Sequence, residues 1–201
     1  MSEYRNLKGK KVKFLTSDLS GEQSEGQIFY SDTDNDFKSV VASAAWSAGG
    51  SLINAHQETS AAGTQTAGLC FAGVPPTGGI VSTEEYNGSG WAVGGDLNTA
   101  RRAAATFSAS TQTASLIFGG SIAPNPTVSN ATEEYNGTSW TSVNNLPAVK
   151  YIHGGAGIQT AALAFGGYNG TAAVATTEEY DGTNWTAGNA MSTARYSLGS
   201  A

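Results

Sequence analysis

Large apolar residues fall along this chain in short runs. Leu69-Cys70-Phe71, Leu116-Ile117-Phe118 and Leu163-Ala164-Phe165 each place two large side chains two positions apart, so the pair shares one face of a strand. A Gln-Thr pair precedes every run, at Gln65, Gln112 and Gln159, and glycine closes it at Ala72-Gly73, Gly119-Gly120 and Gly166-Gly167. The string Thr-Glu-Glu-Tyr follows at 83–86, 132–135 and 177–180, then Asn-Gly or Asp-Gly, then Trp91, Trp140 or Trp185. Ten residues after each tryptophan, Trp46 included, stand His56, Arg101, Lys150 and Arg195, each leading into a stretch of small residues. The pattern predicts four strands per unit. Strand A is the small-residue stretch, B runs from Gln-Thr into the glycines, C is Thr-Glu-Glu-Tyr and D begins at the tryptophan. The Asn-Gly and Asp-Gly dipeptides predict a tight hairpin turn between C and D through positive φ. The glycine pair predicts a close approach of neighbouring backbone.

The tryptophans Trp46, Trp91, Trp140 and Trp185 are 45, 49 and 45 residues apart. Repeats of that length, read as several short strands, are expected of β-propeller blades. Strand A after a basic residue, an apolar strand B ending in Gly-Gly, Tyr86, Tyr135 and Tyr180 in strand C and tryptophan in strand D together resemble the kelch family. The resemblance covers residues 46–201. The step from tyrosine to tryptophan is only five residues, and the first copy lacks one glycine, so the chain resembles a kelch-like variant. It implies an all-β fold of kelch-like β-propeller blades, each a four-stranded antiparallel repeat of 45–49 residues. Near-verbatim copies of Thr-Glu-Glu-Tyr-Asn-Gly and Gln-Thr-Ala-Ala-Leu-Ala-Phe-Gly-Gly, in a Thr/Ser/Ala/Gly-rich background, also resemble repeats in marine bacteriophage structural proteins of the cyanophage type. That second resemblance implies a virion protein of tail-fibre or appendage kind.

Charge divides the 201 residues in two. Five of the ten Lys and Arg residues, Arg5, Lys8, Lys10, Lys11 and Lys13, fall in the first 13 positions, while residues 46–201 hold nine acids against four bases. Residues 1–45 therefore read as a separate β module. Its strands are predicted at Val12–Phe14, Gly26–Tyr30 and Phe37–Val41, the last two forming a hairpin similar to segments at the head of phage fibre chains. Lys8, Lys10, Lys11 and Lys13 are the candidate docking residues toward an acidic partner; a basic strand that merely protects an edge is the plain alternative. The opening residues carry no apolar leader, and no stretch approaches the length of a membrane span. With a net charge of −6 there is no extended basic face for nucleic acid.

Catalytic chemistry finds no foothold. Glu84 and Glu85, like their two repeats, are neighbours on a strand and point to opposite faces, so they cannot converge on one substrate atom. One glutamate of each pair is expected to accept from a basic position such as Arg101, Lys150 or Arg195. His56 and His153 lack partners at ligand spacing. The run Asp32-Thr33-Asp34-Asn35-Asp36 resembles the start of a calcium loop, but Phe37 and Ser43 stand where glycine and a bidentate glutamate are needed. Cys70 is alone and reads as a small buried hydrophobe. No metal, cofactor or catalytic residue is expected, and the Asn-Gly glycosylation matches are turns.

The strands repeat while the B-to-C connections vary. They read Val74-Pro75-Pro76-Thr77-Gly78-Gly79-Ile80, Ser121 to Thr127 and Tyr168 to Ala173. Loops on a rigid scaffold carry recognition, so Pro75, Pro76, Asn125, Tyr168 and Asn169 are the candidate recognition residues. Three complete units and the start of a fourth are present. Closure is expected through further chain, through residues 27–46 as the missing strands, or between subunits. The expected function is non-enzymatic: a virion structural protein, made in the host cytoplasm, that docks to other tail proteins by residues 1–45. Its loops would face a host-surface glycan or protein, and it would be a homo-oligomer within the assembly. The alternatives are a general kelch-like interaction scaffold and a carbohydrate-binding lectin.

Overall fold

The computed structural model describes the strand residues Phe14–Leu15, Ile28–Ser31 and Asp36–Ser39, and residues 48–74, 80–107, 109–122 and 127–199. Every regular element among them is a β-strand. The chain divides into two compact units, Met1–Ala48 and Gly49–Ala201. In the first, β1 (Phe14–Leu15) lies parallel to β2 (Ile28–Ser31), which pairs antiparallel with β3 (Asp36–Ser39), Ile28 opposite Ser39 and Ser31 opposite Asp36. Lys8, Lys10, Lys11, Lys13 and Trp46 lie outside the described residues, as does the turn 32–35.

The second unit contains three successive antiparallel sheets. The first holds β4 (Ser60–Thr64), β5 (Ala67–Phe71), β6 (Thr83–Tyr86) and β7 (Trp91–Val93), in that order. The next is a ladder of β8 (Ser115–Phe118), β11 (Thr132–Tyr135) and β12 (Trp140–Val143), with the hairpin β9 (Ser121–Ile122) and β10 (Thr127–Val128) inserted after β8. The last sheet is β13 (Gly154–Ile158), β14 (Ala161–Phe165), β15 (Thr177–Tyr180) and β16 (Trp185–Ala187). The four predicted strands thus form in two of the three copies. The middle copy keeps only isolated bridges in place of strand A, at Ala105 with Phe118 and Thr111 with Ala114. Its basic residue and glutamine, Arg101 and Gln112, are 11 positions apart, whereas His56–Gln65 and Lys150–Gln159 are nine apart. Two extra residues interrupt the ladder, and Ser110 stands where the other copies have Gly63 and Gly157 at positive φ.

Strand alternation decides where the cores sit. Leu116 and Phe118 face the third sheet, in a cluster with Phe107, Leu146, Ala162, Ala164, Tyr180 and Trp185. Ile117, between them, faces the first sheet, in a cluster with Leu69, Phe71, Leu97, Tyr135 and Trp140. The apolar cores therefore lie between sheets. In the last copy Leu163 and Phe165 share a face as expected, yet the small Ala162 and Ala164 opposite them enter the core, and the larger pair is half-buried. Trp140 and Trp185 are buried while Trp91 is only partly so. Its indole N–H donates to the Gly50 carbonyl at 3.1 Å, whereas the other two reach into a preceding sheet.

The turns after Thr-Glu-Glu-Tyr span four residues, with Tyr86 opposite Trp91, Tyr135 opposite Trp140 and Tyr180 opposite Trp185. Gly88, Gly137 and Gly182 alone take positive φ. The residue before each glycine contributes a side-chain oxygen instead: Asn87 Oδ1 accepts from the amides of Ser89 and Gly90, both at 3.0 Å. That arrangement is an Asx turn, in which only the glycine takes the positive φ expected of the Asn-Gly and Asp-Gly pairs.

Candidate functional site

The carboxylate pairs resolve into two structural roles. Glu84, Glu133 and Glu178, the first of each pair, are buried. Glu84 accepts from the amides of Ile53 and Asn54 at 2.8 and 2.9 Å, and His56 Nε2 lies 3.4 Å away. Glu133 accepts from the Asn98 amide at 2.8 Å and from the Arg101 guanidinium. Glu178 accepts from the Lys150 ammonium, which also donates to Thr176 Oγ1 at 2.9 Å. Burial lowers the pKa of both Arg101 and Lys150, opposed by their glutamates. Arg195 is exposed, and no carboxylate pairs with it among the described residues.

Glu85 and Glu134, the second of each pair, reach the next sheet. Glu85 accepts from the Tyr135 hydroxyl at 2.5 Å and Glu134 from the Tyr180 hydroxyl at 3.0 Å. Desolvation, with the hydrogen bond from each phenol to its glutamate, pushes Tyr135 up to about 12 and raises Tyr180 too. Alongside, Trp140 Nε1 donates to Thr83 Oγ1 at 2.8 Å and Trp185 Nε1 to Thr132 Oγ1 at 3.1 Å. Gln112 Nε2 donates to the carbonyls of Gly68 and Tyr86, and Gln159 Nε2 to those of Ser115 and Tyr135. Five of the six carboxylates are thus occupied by contacts of the repeat itself, and the sixth, Glu179, is exposed. Sequence reading singled out Trp, Tyr and Glu, but it missed that the Gln of Gln-Thr bridges two sheets.

His153 is buried against Phe118, with neither ring nitrogen hydrogen-bonded among the described residues. Burial, with Lys150 nearby, depresses it to about 3. Cys70 is buried and its thiol is pushed up by desolvation. No group of three or more His, Cys, Asp or Glu side chains that could hold a metal occurs among the described residues.

A different cluster forms where the three sheets begin. Two positions past each basic residue, Glu58, Ala103, Ile152 and Ser197 have φ of 55°, 47°, 45° and 57°, the left-handed region that non-glycine residues seldom enter. Their backbones form a chain from unit to unit. The Ala103 amide donates to the Glu58 carbonyl at 3.2 Å, Ile152 to Ala103 at 2.9 Å and Ser197 to Ile152 at 2.8 Å. These inter-sheet bonds hold the strained conformation in place. Beside them opens a cavity of about 480 Å³ lined by Glu58, Thr59, Arg102, Ala103, Tyr151 and Ile152. Arg102 Nη1 and Glu58 Oε2 are 3.4 Å apart within it.

Tyr151 continues the cavity into an aromatic rim. Its ring meets Tyr168 edge-on at 5.8 Å, and Tyr168 meets Tyr196 edge-on at 5.7 Å. Tyr151 and Tyr168 also exchange backbone hydrogen bonds. The Tyr168 hydroxyl donates to the Thr171 carbonyl at 2.8 Å, and Asn169 Oδ1 accepts from the amides of Thr171 and Ala172, both at 2.9 Å. Asn169 is thus a turn former, its carbonyl oxygen used within the loop. Of the recognition residues expected from sequence, Tyr168 and Asn169 meet at this rim, while Pro75, Pro76 and Asn125 lie outside the described residues. Glu58, Arg102, Tyr151 and Tyr196 were missed. A signal was present: the position after each basic residue changes from Gln57 to Arg102, Tyr151 and Tyr196.

Compared with known proteins, the sequence matches no family model and no curated protein.

Proposed function

We propose that the chain is a non-enzymatic structural protein of a bacteriophage particle, of tail-fibre or appendage type, whose repeats are kelch-like β-propeller blades. Residues 1–45 dock it to other tail proteins, and the rim formed by the B-to-C connections and the residues after each basic position faces the host surface. The observation that carries the reading is the thrice-repeated string with one contact set between successive sheets: Trp to Thr, Tyr to Glu and Gln to two carbonyls. A scaffold that uses most of its repeated polar residues for its own junctions leaves the varying rim for partners.

The test is localisation on particles. Antibody against residues 49–199 should label tail appendages of the phage that encodes the chain, and deleting residues 1–45 should abolish incorporation while the repeats remain folded. Incorporation of the truncated protein at normal occupancy would remove the docking role. Absence of the protein from purified particles would leave a cellular interaction scaffold as the better reading.

A further inference from the structure

We propose that the cavity at Glu58, Arg102 and Tyr151, with the adjoining rim of Tyr168 and Tyr196, is a binding site for a neutral saccharide. The proposal rests on the recognition half of the reading above and adds the ligand class and the residues that meet it. At about 480 Å³ the cavity falls in the size range of small-ligand sites, enough for one or two sugar rings. Its polar wall is a guanidinium and a carboxylate 3.4 Å apart, with side-chain exposures of 29% and 48%, so both keep hydrogen-bonding capacity toward a ligand.

Arg102 can only donate, and ionised Glu58 can only accept. Vicinal sugar hydroxyls do both, and each charge-assisted bond is stronger than a neutral one. The pair sums to no net charge, so an anionic ligand gains no surplus attraction and a cationic one none either. A proline-rich peptide would present carbonyl acceptors without matching donors, leaving Glu58 unused. The aromatic side runs outward: Tyr151 lines the cavity, and in the adjoining rim Tyr196, 52% exposed, offers ring surface to the apolar C–H face of a pyranose. Tyrosine suits this position because it gives a large apolar body at low entropic cost and keeps its hydroxyl in water. The strained chain of Glu58, Ala103 and Ile152 holds the walls together before any ligand arrives, which lowers the cost of ordering on binding.

The experiment uses the full chain on immobilised gluco-, galacto- and manno-configured neutral oligosaccharides. Sialylated and sulfated oligosaccharides and a proline-rich decapeptide serve as controls. Retention on at least one neutral oligosaccharide is expected. Tyr196→Ala should weaken that binding by roughly two- to tenfold, the scale of one aromatic contact, while Tyr196→Phe retains most of it. Arg102→Met should weaken it by about tenfold or more, as loss of a charge-assisted hydrogen bond implies. Both residues are accessible, so circular dichroism should show both variants folded. Retention only on the acidic sugars, only on the peptide, or on nothing overturns the proposal, as does neutral-sugar binding indifferent to both substitutions. Sugar binding by a protein missing from particles would sink the virion reading alone. Particle incorporation and host attachment without sugar binding would sink this proposal alone.

Discussion

Trp140 and Trp185 each donate an indole proton to a threonine of the preceding sheet, whereas Tyr151, Tyr168 and Tyr196 at the rim stack chiefly on one another. The junction residues keep their identity from copy to copy and are buried; the rim position after each basic residue changes, from Gln57 to Arg102, Tyr151 and Tyr196, and reaches solvent. One repeat thus carries two kinds of position. At the junction a donor and an acceptor are contributed by different copies, so neither can change without stranding the other. At the rim a side chain answers only to what approaches from outside.

The comparison breaks first at the buried ion pairs. Lys150→Met leaves Glu178 desolvated without its cation, and urea unfolding should show a loss of about 3–5 kcal/mol. The exposed pair Arg102–Glu58 should lose no more than about 1 kcal/mol on Arg102→Met. Equal losses at both would erase the distinction. Trp140→Ala should cost a similar 3–5 kcal/mol, and Trp91→Ala, from a half-buried site, clearly less.

Acid comes next. His153 is held at about 3, below its ordinary value near 6.5. Between those limits the unfolded chain binds a proton that the folded chain refuses, so stability is full above pH 6.5 and falls as pH drops toward 3. The slope approaches about 1.4 kcal/mol per pH unit for the one proton. In His153→Leu the slope of the folding free energy over this window should be shallower by that amount; an unchanged slope would mean that His153 protonates freely in the folded protein.

Smaller effects sharpen the picture. Tyr135→Phe removes the donor to Glu85 and should cost about 0.5–1.5 kcal/mol, read as a shift in the urea midpoint. Tyr196→Ala should stay within about 0.5 kcal/mol of the parent protein. If the order of these two were reversed, the rim would belong to the scaffold.

Much of the junction was legible because the chain says it three times. Thr-Glu-Glu-Tyr placed β6, β11 and β15, strand alternation separated the two glutamates of each pair, and the basic residues found their carboxylates at Arg101 and Lys150. The broken strand A of the middle copy turns on two extra residues before Gln112, a small signal among interchangeable Ala and Ser. That Ala162 and Ala164 rather than Leu163 and Phe165 enter the core was not legible, because period 2 gives the shared face of a strand but not which face meets a neighbour. The tyrosine rim was half legible. Tyr168 stands in a loop that visibly varies, but Tyr151 and Tyr196 sit beside the recurring basic positions, and only backbone pairing across 17 residues brings Tyr151 to Tyr168. The left-handed residues left no trace in composition, since Glu58, Ala103, Ile152 and Ser197 share no side-chain chemistry.

The four-residue turns also bear on how the protein ages. Asparagine before glycine is the sequence most prone to spontaneous loss of its side-chain amide, and Asn87-Gly88 and Asn136-Gly137 both sit at exposed turns. The third copy already carries the carboxylate: Asp181 Oδ1 accepts from the amides of Thr183 and Asn184 at 2.8 and 2.6 Å, and those bonds lower its pKa. An old molecule in which Asn87 and Asn136 had become aspartate would hold these turns as Asp181 does. It would also be two charges more negative, so the protein would grow more acidic with storage while its sheets stayed in register.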